Sequence, residues 1–128
     1  MEERVIIVEG KTDRERLLQV LAEPVLIYCT YGSYSADKAG RLAEKLETAD
    51  EVYVFTDEDH SGKKLRRQLS DDFPHAQHLH TRRMFAQVAN TPLDVLAEIL
   101  ERAGFQVQDR QRDPEVWPDG DKKRPQGQ

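Results

Sequence analysis

Two short apolar runs, Val5-Ile6-Ile7-Val8 and Val52-Tyr53-Val54-Phe55, constrain this chain more than any other feature. Neither alternates with polar residues, so each reads as a strand covered on both faces, the pattern of a parallel sheet lying between layers of helix. Both runs stop abruptly at carboxylates: Glu9 after the first, Asp57-Glu58-Asp59 soon after the second. An acid at the end of a buried strand stands at the rim of the sheet, where open α/β folds bind their ligands. If the two strands are neighbours, Glu9, Asp13, Asp57 and Asp59 converge with Glu58 close by, and that is a site for a divalent cation.

Strands and helices alternate along the rest of the chain. The first strand covers about Arg4 to Val8. Thr12-Asp13-Arg14-Glu15 has the form of a capping box, with Thr12 as N-cap and Glu15 reaching back. The helix it opens runs to about Ala22, burying Leu17, Leu18 and Leu21 before Pro24. Val25 to Cys29 is the second strand. Ser35 then caps a helix whose stripe Ala36, Ala39, Leu42, Ala43 and Leu46 recurs at helical spacing. The third strand is Val52 to Thr56. The helix after it spans about Ser61 to Ser70, with Leu65 and Leu69 inward and Lys63, Lys64, Arg66 and Arg67 mostly outward. A weaker strand covers about Ala76 to His80. Thr91-Pro92 starts the last helix as N-cap and N1 proline, with Leu93, Leu96, Ile99 and Leu100 inward and a stop near Gly104. Four strands alternating with helices predict an α/β fold, a Rossmann-like three-layer sandwich around a central parallel four-stranded sheet. Adjacency of the first and third strands requires the order 2-1-3-4, with the ligand crevice between them.

A chain of 128 residues suits one core. The formal net charge of −5 equals the sum of the five acids named above, so the remainder is close to neutral and the acidity belongs mostly to one site. A bound cation would offset much of it, whereas a generally basic nucleic-acid surface is excluded. Cys29 is the only cysteine, which excludes an internal disulfide and a cysteine-based zinc site and leaves a buried thiol. The charged N-terminus, followed by only four apolar residues, fits neither a signal peptide nor a membrane span; a cytoplasmic protein with no membrane contact is expected. From Gly104 the composition turns to Asp, Arg, Gln and Pro. The expected division is a domain over 1–103 and a polar extension over 104–128, whose Trp117 pins the tail to the body or to a second subunit.

Asp57 and Asp59, two apart after a strand, supply the partial oxygen shell that Mg2+ takes, leaving room for water and phosphate. Taken alone, the same residues also suit a helix-capping loop. Gly62 permits close approach of a helix or ligand. Asp13 is expected in a first helical turn from the macrodipole alone, but Glu9, directly after four apolar residues, is awkward unless something binds it.

Glu9-Gly10 after the first strand and Asp57-Glu58-Asp59-His60-Ser61-Gly62 after a later one resemble the Toprim domain of primases, topoisomerases and certain nucleases. Val8-Glu9-Gly10-Lys11-Thr12-Asp13, Tyr31-Gly32-Ser33 and Phe55-Thr56-Asp57-Glu58-Asp59 further resemble the Toprim half of the ribonuclease that matures 5S ribosomal RNA, whose pattern reads VEGKDD, NGS and a TDPD-type loop. The resemblance covers about residues 4 to 103. It implies Mg2+-dependent (or Mn2+-dependent) phosphodiester cleavage on nucleic acid, RNA before DNA. Glu9 would be the general acid or base; Asp57 and Asp59, with Glu9, would hold the metal; Asp13, Gly10 and Gly62 would support the site; Lys11, Gly32 and Ser33 would meet phosphate. Three positions depart from the pattern: Tyr31 stands for Asn, Thr12 for Asp and Glu58 for Pro. The ribonuclease's RNA-binding C-terminal half has no counterpart in these 128 residues, so recognition is expected to be missing or supplied by a partner protein, and a homodimer stays open.

The basic residues Lys63, Arg82 and Arg83 are candidates for a phosphate backbone entering the rim. Two other function classes stay open. One is a non-catalytic module that binds metal and nucleic acid. The other is a phospho-receiver using Asp57, Asp13 and Thr81, although it needs a fifth strand ending in lysine that nothing after Gly104 supplies. His75, His78 and His80 do not make a zinc site without a third confirmed ligand.

Overall fold

The computed structural model describes residues 3–32, 34–81 and 85–108. Its parallel sheet has the order β2-β1-β3-β4, built from β1 (Arg4–Val8), β2 (Leu26–Cys29), β3 (Glu51–Val54) and β4 (Gln77–His78). Val5, Ile6, Ile7 and Val8 have no exposed surface at all, because β1 is hydrogen-bonded on both edges and covered on both faces. In register it pairs Val5 with Leu26 of β2 and with Val52 of β3. Side chains alternate across the sheet. Ile6 and Val8 join Leu17 and Val20 of α1 (Lys11–Val20) and Leu96 and Leu100 of α4 (Leu93–Arg102). Val5 and Ile7 join Leu42 of α2 (Ala36–Leu46) and Leu65 and Leu69 of α3 (His60–Asp72). The three-layer α/β sandwich expected from the unbroken apolar runs is therefore what forms.

Several local expectations are corrected. Gly10, not Thr12, is the N-cap of α1, and the reciprocal bond comes from Asp13, whose Oδ2 accepts the Gly10 N–H at 3.0 Å. The helix stops at Val20, which is buried in place of the half-exposed Leu18. Along α2 only Leu42 is buried, while Ala36 and Ala43 face solvent. Thr91 does not cap α4; Pro92 holds that position, and the buried Thr91 hydroxyl donates to the Gln87 carbonyl at 2.8 Å.

The packed body also runs past the division expected at Gly104. Phe105 is 2% exposed, meets Tyr53 edge-on at 4.8 Å between centroids, and lies under the Arg4 guanidinium at 4.1 Å. Arg4 bonds Glu23 at 2.6 Å, and the same Glu23 oxygen accepts the Gln106 N–H at 2.7 Å. Val107 bridges Leu21 in antiparallel fashion. Residues 105–108 thus close the end of the sheet opposite the acidic rim, whereas Trp117 lies outside the described residues. Removing a buried aromatic ring costs about 3–5 kcal/mol. Phe105→Ala should lower unfolding stability by that order in urea titration, although it lies beyond the expected domain boundary.

Candidate functional site

The order β2-β1-β3-β4 puts a topological switch between β1 and β3, since α1 leads away towards β2 and α3 towards β4. Such switches open a crevice at the carboxyl ends of the strands. Past the end of β3, Phe55 N–H still donates to Ile7 O at 2.8 Å. The next bond of a continuing parallel ladder would join Asp57 N–H to the carbonyl of Glu9. That carbonyl instead accepts Tyr31 N–H at 2.8 Å, and Asp57 N–H is taken at 2.8 Å by the Glu9 side-chain Oε2. The carboxylate replaces the backbone at the point where the strands part, so the two acidic turns are joined directly.

The neighbouring acids are held just as firmly. Asp57 Oδ1 accepts Val88 N–H at 2.8 Å from the short helical turn Val88–Asn90. Asp59 is the N-cap of α3, its Oδ1 accepting Gly62 N–H at 2.9 Å. Each of Glu9, Asp13, Asp57 and Asp59 therefore gives one oxygen to a backbone amide. Burial is the main cause that raises the pKa of Glu9, to about 7; the charges of Asp57, Asp59 and Asp13 add to it against the bond from Asp57 N–H. Asp13 and Asp57 are raised as well, again mainly by burial.

Glu58 is different. Its Oε2 accepts from Arg66 at 3.1 Å and lies 2.9 Å from His80 Nδ1. Arg66, expected to face outward, is instead the tie between β3, β4 and α3: its Nη2 also donates to the carbonyls of Thr56 and Leu79 at 3.2 and 2.9 Å. Its Nη1 lies 3.1 Å from His78 Nδ1, which must accept, so that ring is neutral; burial and then the Arg66 charge depress its pKa. His78 and His80 are thus engaged separately, and Glu58 is paired with Arg66 and His80, although its charge still adds to the rise at Asp57.

Gly62 is required by packing. A β-carbon there would stand 2.1 Å from the Asp57 carbonyl oxygen. Gly32 has φ of +92°, a left-handed backbone suited to glycine. Gly32, Tyr34, Ser61, Lys64, Leu65 and Gln68 line, with Glu9, a cleft of about 300 Å3 on the α3 side of the rim. Lys64, not Lys63, lines this cleft; Lys63 is exposed. Lys11 is exposed at the start of α1, with Glu15 at 4.0 Å. Ser33, Arg82 and Arg83 lie outside the described residues.

The donor set is entirely oxygen, with four carboxylates and, among the described residues, no cationic side chain in the hydrogen bonds that hold them. Among the described residues no three Asp, Glu, His or Cys side chains stand together closely enough to hold a metal ion as they are placed. Oxygen donors of this kind are the chemistry of a hard cation that keeps water and phosphate ligands.

A Toprim domain family model matches residues 4–88. The chain belongs to the Toprim family. The small Toprim domain protein of Bacillus stearothermophilus superposes with a TM-score of 0.79 at 44% identity, over 84% of this chain and 91% of that one. The uncharacterized protein YusF of Bacillus subtilis is 45% identical over 105 residues, 82% of this chain and 71% of that protein. Ribonuclease M5 of Mesoplasma florum is 33% identical over 69 residues, 54% of this Toprim chain but only 39% of the ribonuclease. The receiver reading gives way to this membership; the segment after α4 meets Leu21 antiparallel, and among the described residues no fifth parallel strand follows. No helix of the described residues is long and apolar enough to cross a membrane.

Two predictions follow from this geometry. Gly62→Ala should destabilise by about 2 kcal/mol and shift the Asp57 amide resonance, whereas Gly40→Ala, with open space around it on α2, should stabilise by up to about 1 kcal/mol. Burial in the fold pushes the Glu9 carboxyl from its ordinary 4.5 up to about 7. The folded state therefore holds the proton more tightly, and the metal-free protein loses stability as pH rises between those values. Melting curves in chelator should show Glu9→Gln more stable than wild type above pH 7, the difference vanishing as pH falls towards 4.5.

Proposed function

We propose that this Toprim domain cleaves phosphodiester bonds in nucleic acid, RNA before DNA, using a divalent cation held by Asp57 and Asp59 with Glu9. The observation that carries the reading is the 2.8 Å bond from Asp57 N–H to the Glu9 carboxylate, which unites the Glu-Gly and Asp-x-Asp-x-x-Gly turns at one crevice. Mg2+ is the ion of choice, with Mn2+ as a substitute; when bound it supplies charge neutralisation for the phosphate oxygens. Glu9 moves the proton at the scissile phosphate. Asp13 fixes the exit from β1 by holding Gly10 N–H, and Gly62 lets α3 start against the Asp57 backbone. Lys11 and Gly32 stand along the rim as phosphate contacts, joined in the proposal by Ser33, Lys63, Arg82 and Arg83. The match covers 39% of ribonuclease M5; a partner protein or a second copy of the chain, in the cytoplasm, is proposed to assist substrate recognition.

A non-catalytic module is favoured by one observation: all four acids already have a structural task in accepting backbone amides. Titration with Mg2+ or Mn2+ separates the readings when paired with a nuclease screen. The nuclease predicts saturable ion binding that Asp57→Asn/Asp59→Asn weakens at least tenfold, and cleavage lost in that variant and in Glu9→Gln. Cleavage by neither wild type nor Glu9→Gln across RNA and DNA substrates, with nucleic-acid binding retained by both, supports the binding module and rejects the nuclease.

A further inference from the structure

Tyr31 is the one described residue other than glycine with a positive φ, +54°. The left-handed region suits Gly and Asn and is an outlier for a bulky side chain. Strain of this kind persists only where the surroundings enforce it, and it clusters at functional sites. The surroundings here are explicit. Tyr31 N–H is bonded to the Glu9 carbonyl, and Lys38 Nζ donates to the carbonyls of Thr30 and Tyr31 at 2.6 and 3.2 Å. The segment is therefore pinned to the backbone of the very residue whose carboxylate joins the two acidic turns.

The side chain so held is not used by the core. Tyr31 is 60% exposed, more than any other large apolar residue among the described residues. Cys29 and Arg14 are the electrostatic neighbours of its hydroxyl. Arg14 itself has a buried Nε–H with no acceptor. An exposed ring on a pinned backbone, with a guanidinium in its neighbourhood, matches the way unpaired nucleotides are gripped, by base stacking on an aromatic face with a cation at the phosphate. The cleft holding Lys64 lies on the α3 side of Glu9 and is lined by Gly32, the residue after Tyr31.

From this we infer that Tyr31 is a stacking platform for an unpaired base of a single-stranded nucleic acid, with Arg14 meeting the adjacent phosphate, so that the strand crosses the rim at Glu9. The inference rests on the phosphodiesterase reading and adds to it the class of substrate: single-stranded, read by the π-face and not by sequence. RNA and DNA strands stack alike on such a platform.

Fluorescence anisotropy tests it, using the full chain, Mg2+, and uncleavable phosphorothioate oligonucleotides: single-stranded RNA, single-stranded DNA, the same RNA strand with abasic sites, and a duplex. Tyr31→Asn should weaken binding of both intact single strands by about tenfold, while its melting temperature stays level or rises because Asn tolerates the backbone. Tyr31→Phe should recover most of the lost affinity. The abasic strand should bind wild type and Tyr31→Asn equally, and Arg14→Gln should weaken intact and abasic strands alike with a flatter salt dependence. Equal affinity of wild type and Tyr31→Asn for the intact strands overturns the inference, as does an equal loss on the abasic strand or a loss confined to duplex. If wild type binds none of the four probes, the phosphodiesterase reading fails first and the inference falls with it.

Discussion

The hand-over at the end of β1, from the Glu9 carbonyl to the Glu9 carboxylate, is the interaction on which the rim depends. A parallel ladder repeats every two residues, and Ile7 O to Phe55 N–H is its last regular step on this edge. One step further the side chain accepts what the backbone would have accepted. The released carbonyl turns to Tyr31, and the strands separate without leaving an amide unpaired. A buried N–H without a partner would be costly, so the carboxylate does for β1 and β3 what a cap does for a helix. It is also why Glu9 is well placed. Its position is set by four preceding residues with no exposed surface, in a core that resists displacement.

Much of this architecture was legible in the residues. Two apolar runs without alternation announce strands buried on both faces, and their acidic ends announce the edge where a ligand belongs. The strand order follows from requiring those ends to meet. Gly62 was legible too, since its spacing after Asp59 puts it in the first turn of a helix that starts against the Asp57 carbonyl. Less legible was the choice between overlapping caps. Thr12 with Glu15 and Gly10 with Asp13 are both plausible three-residue spans; the exit angle of β1 selects the second, and that angle is a tertiary property.

Arg66 shows a different limit. Within Lys63-Lys64-Leu65-Arg66-Arg67 nothing in the residue types distinguishes one cation from its neighbours. What singles out Arg66 is the shortness of β4, only two paired residues. Beyond it the carbonyls of Thr56 and Leu79 have no strand partner, and a guanidinium can bridge both while also meeting Glu58. The demand comes from carbonyls whose lack of partners only the folded sheet defines. Phe105 was hidden for a related reason: a single aromatic in a polar segment carries no periodicity, and its pocket is assembled from Arg4 and Tyr53, which are far away in sequence.

Structural and chemical roles of the acids do not exclude each other. A carboxylate has two oxygens and about four lone-pair positions, and each rim acid gives one oxygen to an amide. Such a bond fixes the side-chain rotamer and aims the second oxygen, much as outer-shell hydrogen bonds orient metal ligands. It also opposes the rise in pKa that burial imposes, since an amide donor favours the charged form. For Glu58 the balance is struck otherwise, because Arg66 and His80 share its Oε2. The acidic loop is thereby divided: its middle residue fastens the loop to α3 and β4, and the residues on either side remain electrostatically uncompensated. That division explains how three consecutive acids can be accommodated at one sheet edge, and it leaves the uncompensated charge on the side facing Glu9.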